Sequence, residues 1–181
     1  MFTDIQKKLV VLVGLPASGK STFRSDVTQS DTYHYSTDDC IDEMAREYGI
    51  TYNEAFPEWI ELATKASDLE VNEAIAAGYH VVWDQTNMTR KKRAKILRLF
   101  DDTYTKHCVT FLPPFTDEQE EELARRLGSR PGKNIPGYVL RSMRNSFQLP
   151  SVDEGFDKIW FHDIYGVELD RNRAAVLFGS A

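Results

Sequence analysis

Cysteine is nearly absent: Cys40 and Cys108 are the only two among 181 residues. A disulfide-stapled secreted domain is thereby excluded, and the pair matches no zinc-ligand spacing. Both thiols are expected to be reduced and partly buried, as in a cytosolic protein. No segment approaches the ~20 consecutive apolar residues that a membrane-spanning helix needs. The opening stretch MFTDIQKKLVVLVGL lacks the pattern of a cleavable leader. The expected location is therefore the cytoplasm, with no membrane partner. Net positive charge is lacking too: 22 Lys and Arg against 28 Asp and Glu give −6. That disfavours a protein that coats itself with nucleic acid through a global positive field, but leaves room for a local basic site that grips one end of a strand. Internal repeats and low-complexity segments are absent.

What remains is the composition of one soluble globular domain, read here as residues 1–181. Residues 8–13, KLVVLV, form the kind of short, unbroken apolar run that marks a strand buried on both faces. Residues 33–36, 79–83, 107–112 and 158–162 are further strand candidates. Between them the pattern predicts helices over residues 20–29, from Asp38 onward, and over 52–77, 89–100, 116–127 and 137–147. Gly78 stands where a helix C-terminal glycine is expected. In the tail, 163–181, residues 167–169 and 174–178 are expected to pair as a hairpin around 170–172. Alternating strands and helices imply an α/β fold with a central parallel sheet of about five strands flanked by helices. Ligands in such sheets bind beyond the carboxyl ends of the strands. Residues from Gly14, from Thr37 and from Asp84 onward are placed there.

The first of these segments is Gly14-Leu15-Pro16-Ala17-Ser18-Gly19-Lys20-Ser21, followed by Thr22. It fits G-x-x-x-x-G-K-[ST] at every fixed position, after a predicted strand and at the start of a predicted helix. Glycines let the backbone curl so that successive N–H groups face phosphates, and the helix N-terminus adds partial positive charge. Lys20 is expected to reach the β- and γ-phosphates of ATP, and the Ser21 hydroxyl to ligand Mg²⁺. Gly14, Pro16, Ala17, Ser18, Gly19 and Thr22 complete the expected nucleotide contacts.

Two carboxylate segments face this loop. Asp38 and Asp39 follow the second strand candidate, and an Asp there suits the orienting and deprotonation of an acceptor hydroxyl. Asp38 is the candidate base; Asp39 serves equally as a helix cap. Asp84, Thr86 and Asn87 follow the 79–83 strand. Asp84 suits the Mg²⁺ shell or the acceptor-side loop, with strand termination and an Asn87 cap as the plain alternative. These residues, Asp38, Asp39, Asp84, Thr86 and Asn87, are the expected acceptor contacts.

Residues 123–152 contain no acid but carry Arg125, Arg126, Arg130, Lys133, Arg141 and Arg144. The glycine- and proline-rich middle reads as a mobile arginine lid, about 126–136, with Arg126 and Arg130 meeting charge that builds on the transferred phosphoryl group. A solvated basic surface is the alternative. A second basic group, residues 90–98, does not share one helical face, so only some of it can line nucleic acid. Tyr52, Phe56 and Trp59 suit either base stacking or the core.

Taken together, GLPASGKST, STDD, WDQTN, RRLGSR and IPGYVLRSM resemble the kinase domain of phage polynucleotide kinase. They also resemble the wider P-loop group of nucleic-acid end-healing and zeta-toxin-like kinases. The resemblance runs from about residue 8 to 162. It implies the phosphate and Mg²⁺ positions for Lys20 and Ser21, the general base for Asp38, and the paired lid arginines for Arg126 and Arg130. Asp84 matches the Asp of a D-T-N segment, with Gln85 inserted. One position departs: Ile41 stands where that enzyme has an arginine that holds the acceptor's phosphate. The segment LPSVDEGFDKIWF is shared with relatives that use other acceptors, including phage kinases acting on a hydroxymethylated DNA base. The chain stops where a phosphatase domain would begin, so 3′-phosphatase activity is not expected. The function expected is an ATP- and Mg²⁺-dependent kinase for a 5′-hydroxyl end of DNA or RNA, in a host cytoplasm if phage-encoded. The alternatives are a hydroxymethylated-base kinase, a nucleoside or sugar kinase, and a nucleotide-binding module without acceptor chemistry.

Overall fold

The computed structural model describes residues 6–179; the outermost ends of the 1–181 domain reading and of its tail lie outside the described residues. Six strands form one sheet in the order β2-β3-β1-β4-β5-β6. These are β1 (Lys7–Val13), β2 (Thr32–Tyr35), β3 (His80–Asp84), β4 (Tyr104–Phe111), β5 (Lys158–His162) and β6 (Glu168–Leu169). The first five are parallel, and β6 runs antiparallel to β5. The helices are α1 (Lys20–Val27), α2 (Thr37–Tyr48), α3 (Tyr52–Ala77), α4 (Arg90–Leu97), α5 (Asp117–Gly128), α6 (Gly137–Asn145) and α7 (Arg171–Phe178).

The apolar runs of the strands are apolar because both faces are covered. Leu9, Val11, Val81, Trp83 and Cys108 pack on one face against Val71 of α3 and Ile96 and Leu97 of α4. Leu12, Val82, Val109 and Phe111 pack on the other against Phe23 and Val27 of α1. Cys108 is buried and free, and burial pushes its thiol up to about 12, so it is inert packing. The α1 face also holds all four histidines of the chain, His34, His80, His107 and His162, as the strand register requires. A cavity of about 730 Å³ lies on this face over Val10, Val82 and Trp160 and contains none of residues 14–21.

Two expectations are corrected by packing. Residues 167–178 do not form a hairpin: Glu168 and Leu169 pair with His162 and Phe161, and 171–178 is helix α7. Asp170 accepts a hydrogen bond from the Arg173 N–H at 2.9 Å, so what reads as a turn is a helix cap. Ala174 then buries itself against Leu112 and Phe161. The cap of α2 is Ser36, which accepts from the Asp39 N–H at 3.2 Å; Asp39 caps nothing, and Asp38 and Asp39 occupy the first turn.

The basic residues of α4 divide by role. Arg93 has no exposed surface and forms a paired bridge to Glu154, Nε to Oε2 at 2.8 Å and Nη2 to Oε1 at 2.7 Å. Its Nη1 donates to the Asn87 and Met88 carbonyls at 3.1 and 3.2 Å. Arg90 pairs with Asp153 at the surface, and Lys91, Lys95 and Arg98 are exposed. Removing one member of a buried, fully bonded pair strands the other charge. Arg93→Met is therefore expected to lower unfolding stability by about 3–5 kcal/mol in urea titration, while Arg98→Met changes it by less than about 0.5 kcal/mol.

Candidate functional site

The loop from Gly14 to Lys20 joins β1 to α1 beyond the carboxyl edge of the sheet. Gly14 (φ 153°) and Gly19 (φ 113°) hold conformations that disfavour a side chain, and a Cβ on Gly14 would meet Ser18 Oγ at 2.7 Å and Phe111 at 3.0 Å. Lys20 is buried, and its Nζ donates to the Gly14 and Leu15 carbonyls at 2.9 and 2.8 Å. Burial lowers its pKa to about 8, against the pull of Asp84 and Asp38. Ser18 Oγ, which packs against Gly14, is buried without a hydrogen-bond partner among the described residues.

Three cavities meet at this loop. The first, about 490 Å³, is polar and is lined by Lys20, Ser21, Asp38, Asp39, Asp84 and Thr86, among others. Burial pushes the Asp84 carboxyl up, with Lys20 and Arg24 opposing. The second, about 540 Å³, lies on the far side of α1's first turn, between Gly19, Thr22, Arg126, Ile164 and Tyr165. The third, about 320 Å³, opens beside Asp38 and is walled mainly by apolar groups: Pro16, Phe56, Ile135, Pro136, Val139 and Met143. Arg130 borders all three.

The structure brings together most of the residues singled out from sequence. Pro16, Ala17, Lys20, Ser21, Asp38, Asp39, Asp84, Thr86 and Arg130 share one cavity, and Thr22 and Arg126 border the next. Gly14 and Ser18 belong to the loop but line neither cavity, and Asn87 stands apart from both. It is fully buried at φ 45°, and its Nδ2 donates to the Leu12 carbonyl at 2.8 Å. It fastens the loop after β3 to β1 and cannot face an acceptor. The same stitch continues through the Gly14 N–H, which donates to the Thr86 carbonyl at 3.0 Å.

Several further residues border the site. Arg24 Nη1, from α1, lies within ion-pair distance of Asp39 at 2.6 Å and Asp84 at 3.3 Å, without the geometry of a hydrogen bond to either. Its spacing of one helical turn from Lys20 is the one clue that was available. Gln85 donates to Thr37 Oγ1 at 3.2 Å. Lys92 and Lys133 line the polar cavity, and Tyr52 donates to Asp38 Oδ1 at 2.7 Å. The acid-free stretch finds its carboxylates elsewhere: Arg126 bonds Glu122 at 2.6 Å, Arg144 pairs with Glu120, and Lys133 pairs with Asp42.

A parallel sheet of this order with a phosphate loop after its central strand defines a P-loop kinase fold. The chain belongs to the AAA_33 family, described as an AAA domain, which matches residues 9–150. Among curated relatives it is 24% identical over 151 residues to an L-seryl-tRNA(Sec) kinase of Methanococcus maripaludis, covering 82% of this chain and 56% of that one. It is 28% identical over 162 residues to a bifunctional polynucleotide phosphatase/kinase of Schizosaccharomyces pombe, covering 84% of this chain and 33% of the relative. The chain thus spans about half or less of the length of these relatives. In fold it is similar to a structure from the PezAT toxin–antitoxin system of Streptococcus pneumoniae, with a TM-score of 0.63, 17% identity and coverage of 98% and 79% of the two chains.

A lysine whose pKa is about 8 links nucleotide affinity to pH. Bound phosphates stabilise the ammonium and raise its pKa in the complex. Below about pH 8 the proton is already present and affinity is insensitive to it. Above that value binding must take up a proton, so affinity falls with rising pH, by up to about tenfold per unit. Calorimetry of ATP binding in buffers of differing ionisation enthalpy is expected to show proton uptake appearing above about pH 8. Lys20→Arg, charged throughout this range, is expected to show none.

Proposed function

We propose that this protein is an ATP-dependent kinase that transfers the γ-phosphate to the 5′-hydroxyl end of a polynucleotide. The observation that carries the reading is the junction of the polar cavity with the apolar one beside Asp38. A hydroxyl at that junction lies between a carboxylate and the phosphate loop, and the group bearing it rests against Phe56, Val139 and Met143. Aromatic and aliphatic walls suit a nucleobase, which recognises them by stacking and apolar contact. They offer few partners to the hydroxyl groups of a sugar. Both curated relatives described above are named for acceptors carried on nucleic acid, a seryl-tRNA and a polynucleotide.

In this reading the triphosphate lies along the loop, with backbone N–H groups and Lys20 on its β- and γ-phosphates. The purine sits in the second cavity against Ile164 and Tyr165. Asp38 takes the proton of the acceptor hydroxyl as its oxygen attacks the γ-phosphorus. The bond from that phosphorus to the β,γ-bridging oxygen breaks, and ADP leaves. Arg126 and Arg130 approach the transferred group from the lid side, where guanidinium forks match phosphoryl oxygens. Ser21 and Asp84 are the residues that would hold Mg²⁺. They fit it, because Mg²⁺ in such sites takes one or two carboxylates plus phosphate oxygens and water rather than an all-protein cage. The ion would supply neutralisation of phosphate charge.

The test is incubation with Mg²⁺, γ-labelled ATP and three acceptor sets. These are 5′-hydroxyl oligonucleotides, 5′-blocked oligonucleotides with hydroxymethylated bases, and a pool of nucleosides and sugars. Label on the first set is the expected outcome. Label confined to the second or the third moves the acceptor to a modified base or a small molecule. Asp38→Ala is expected to lower transfer by at least about 10²-fold while ATP still binds, and Lys20→Ala to weaken both binding and transfer. Near-normal transfer by Asp38→Ala rules out its role as the base.

A further inference from the structure

The Asp38 carboxylate has one hydrogen-bond partner among the described residues, the Tyr52 hydroxyl, which donates to Oδ1 at 2.7 Å. Tyr52 is the first residue of α3, and Asp38 lies in the first turn of α2. Neither position is chosen by local sequence, and the pair exists only because two helix starts face each other. The start of α3 is held rigidly. Thr51 and Glu54 form a reciprocal cap, with the Thr51 N–H donating to Glu54 Oε2 at 2.7 Å and the Glu54 N–H to Thr51 Oγ1 at 3.3 Å.

The lid is fastened to this same turn. The Asn53 N–H donates to the Gly132 carbonyl at 3.1 Å, and the Asn53 side chain exchanges two hydrogen bonds with the Asn134 backbone, at 2.8 and 2.9 Å. Gly132 has φ +70°, and a Cβ there would stand 3.1 Å from Thr51 Cβ, so the lid lies directly on the cap of α3. Between these points Lys133 reaches over the Tyr52 ring, its Nζ 4.1 Å from the centroid, to pair with Asp42 one turn along α2 from Asp38. Lid, α3 and α2 therefore meet at one side chain.

We propose that Tyr52 is the positioning residue for the Asp38 base, and that the docked lid holds Tyr52 in place. The proposal rests on the reading of Asp38 as the base. A lone carboxylate at a cavity rim rotates about its last bond, so either oxygen, at a range of angles, meets the acceptor. A donor fixed on Oδ1 leaves Oδ2 to take the proton, in one orientation. Burial and the neighbouring Asp38 push the Tyr52 phenol above its usual pKa, so it remains a donor across the working range. The arrangement also joins two requirements of transfer. The lid segment whose fastening holds Tyr52 begins at Arg130, which borders all three cavities. Lid docking thus places the cation for the phosphoryl group and orients the base in the same step.

Tyr52→Phe removes the hydroxyl and keeps the ring under Lys133, so it separates positioning from packing. The assay is steady-state transfer to a 5′-hydroxyl oligonucleotide, or to whichever of the other two acceptor sets takes label. Tyr52→Phe is expected to lower kcat by about tenfold or more, in line with the cost of a misplaced reacting group. The KM for ATP and the thermal unfolding midpoint are expected to stay at the native values. On an Asp38→Asn background the same change is expected to cost nothing further, because the two side chains act as one unit. Asn53→Ala, which loosens the lid's hold, is expected to lower kcat in the same sense. An unchanged kcat for Tyr52→Phe, with a loss only in Tyr52→Leu, overturns the proposal in favour of packing. So do losses that multiply in the Tyr52→Phe, Asp38→Asn double variant. Near-normal transfer by Asp38→Ala, or no label on any acceptor with the native protein, defeats the underlying reading itself and is distinguished by those arms.

Discussion

The site depends on one guanidinium that never touches it. Arg93 is enclosed completely, and such a group persists in a protein interior only when its charge is paired and its N–H groups are bonded. Glu154 supplies the charge, and the carbonyls of Asn87 and Met88 take most of the remaining N–H capacity. Those two carbonyls belong to the loop that carries Thr86. Thr86 in turn accepts from the Gly14 N–H, and Asn87 bonds the end of β1. The position of the phosphate loop relative to Asp84 is therefore fixed from behind, by an ion pair between α4 and the turn preceding β5. Glu154 is itself set by the Ser151 N–H, at 3.2 Å. A hydrophobic core places strands to within their packing tolerance; this network places the loop ends.

Charge at the site is arranged locally, although the chain as a whole is acidic. Lys20, Arg24, Lys92, Arg130 and Lys133 line the polar cavity with Asp38, Asp39, Asp42 and Asp84. Arg24 occupies two of these carboxylates and Lys133 a third, so the field left for phosphate comes from Lys20, Arg130 and Lys92. The net −6 says nothing about this cavity, because surface charges beyond a Debye length of about 10 Å are screened.

Much of this was legible in the sequence, and the boundary of legibility has a physical cause. The parallel strands announce themselves because burial on both faces demands unbroken apolar runs, as in 8–13 and 79–83. The phosphate loop is legible because glycine conformation, lysine and hydroxyl must come in one order within eight positions. Lys20, Ser21 and Asp84, each next to a strand end or loop that sequence marks, line one cavity in the folded chain. Asn87 was misread because an Asn after a strand serves a ligand or a backbone carbonyl equally well, and only its burial decides. The tail was misread because Asp followed by polar residues begins a turn or caps a helix. Contact of Ala174 and Phe178 with the core decides that.

The cavity proposed for the acceptor is the part that sequence conveys least, and the geometry explains why. The apolar cavity takes its walls from the loop after β1, the start of α3, the lid and α6. Its members are separated by up to more than a hundred residues, and nothing in the segments that supply them marks them as walls of one cavity. Phosphate chemistry is uniform across acceptors, so it can be built into one contiguous loop. The acceptor's shape varies, so its walls are assembled from segments that meet only in the folded chain. The contact proposed to couple the two is of the second kind: Tyr52 is a helix-start residue held between Asp38 and Lys133. On the proposed reading, the reaction class follows from the loop, and the acceptor from packing around Asp38.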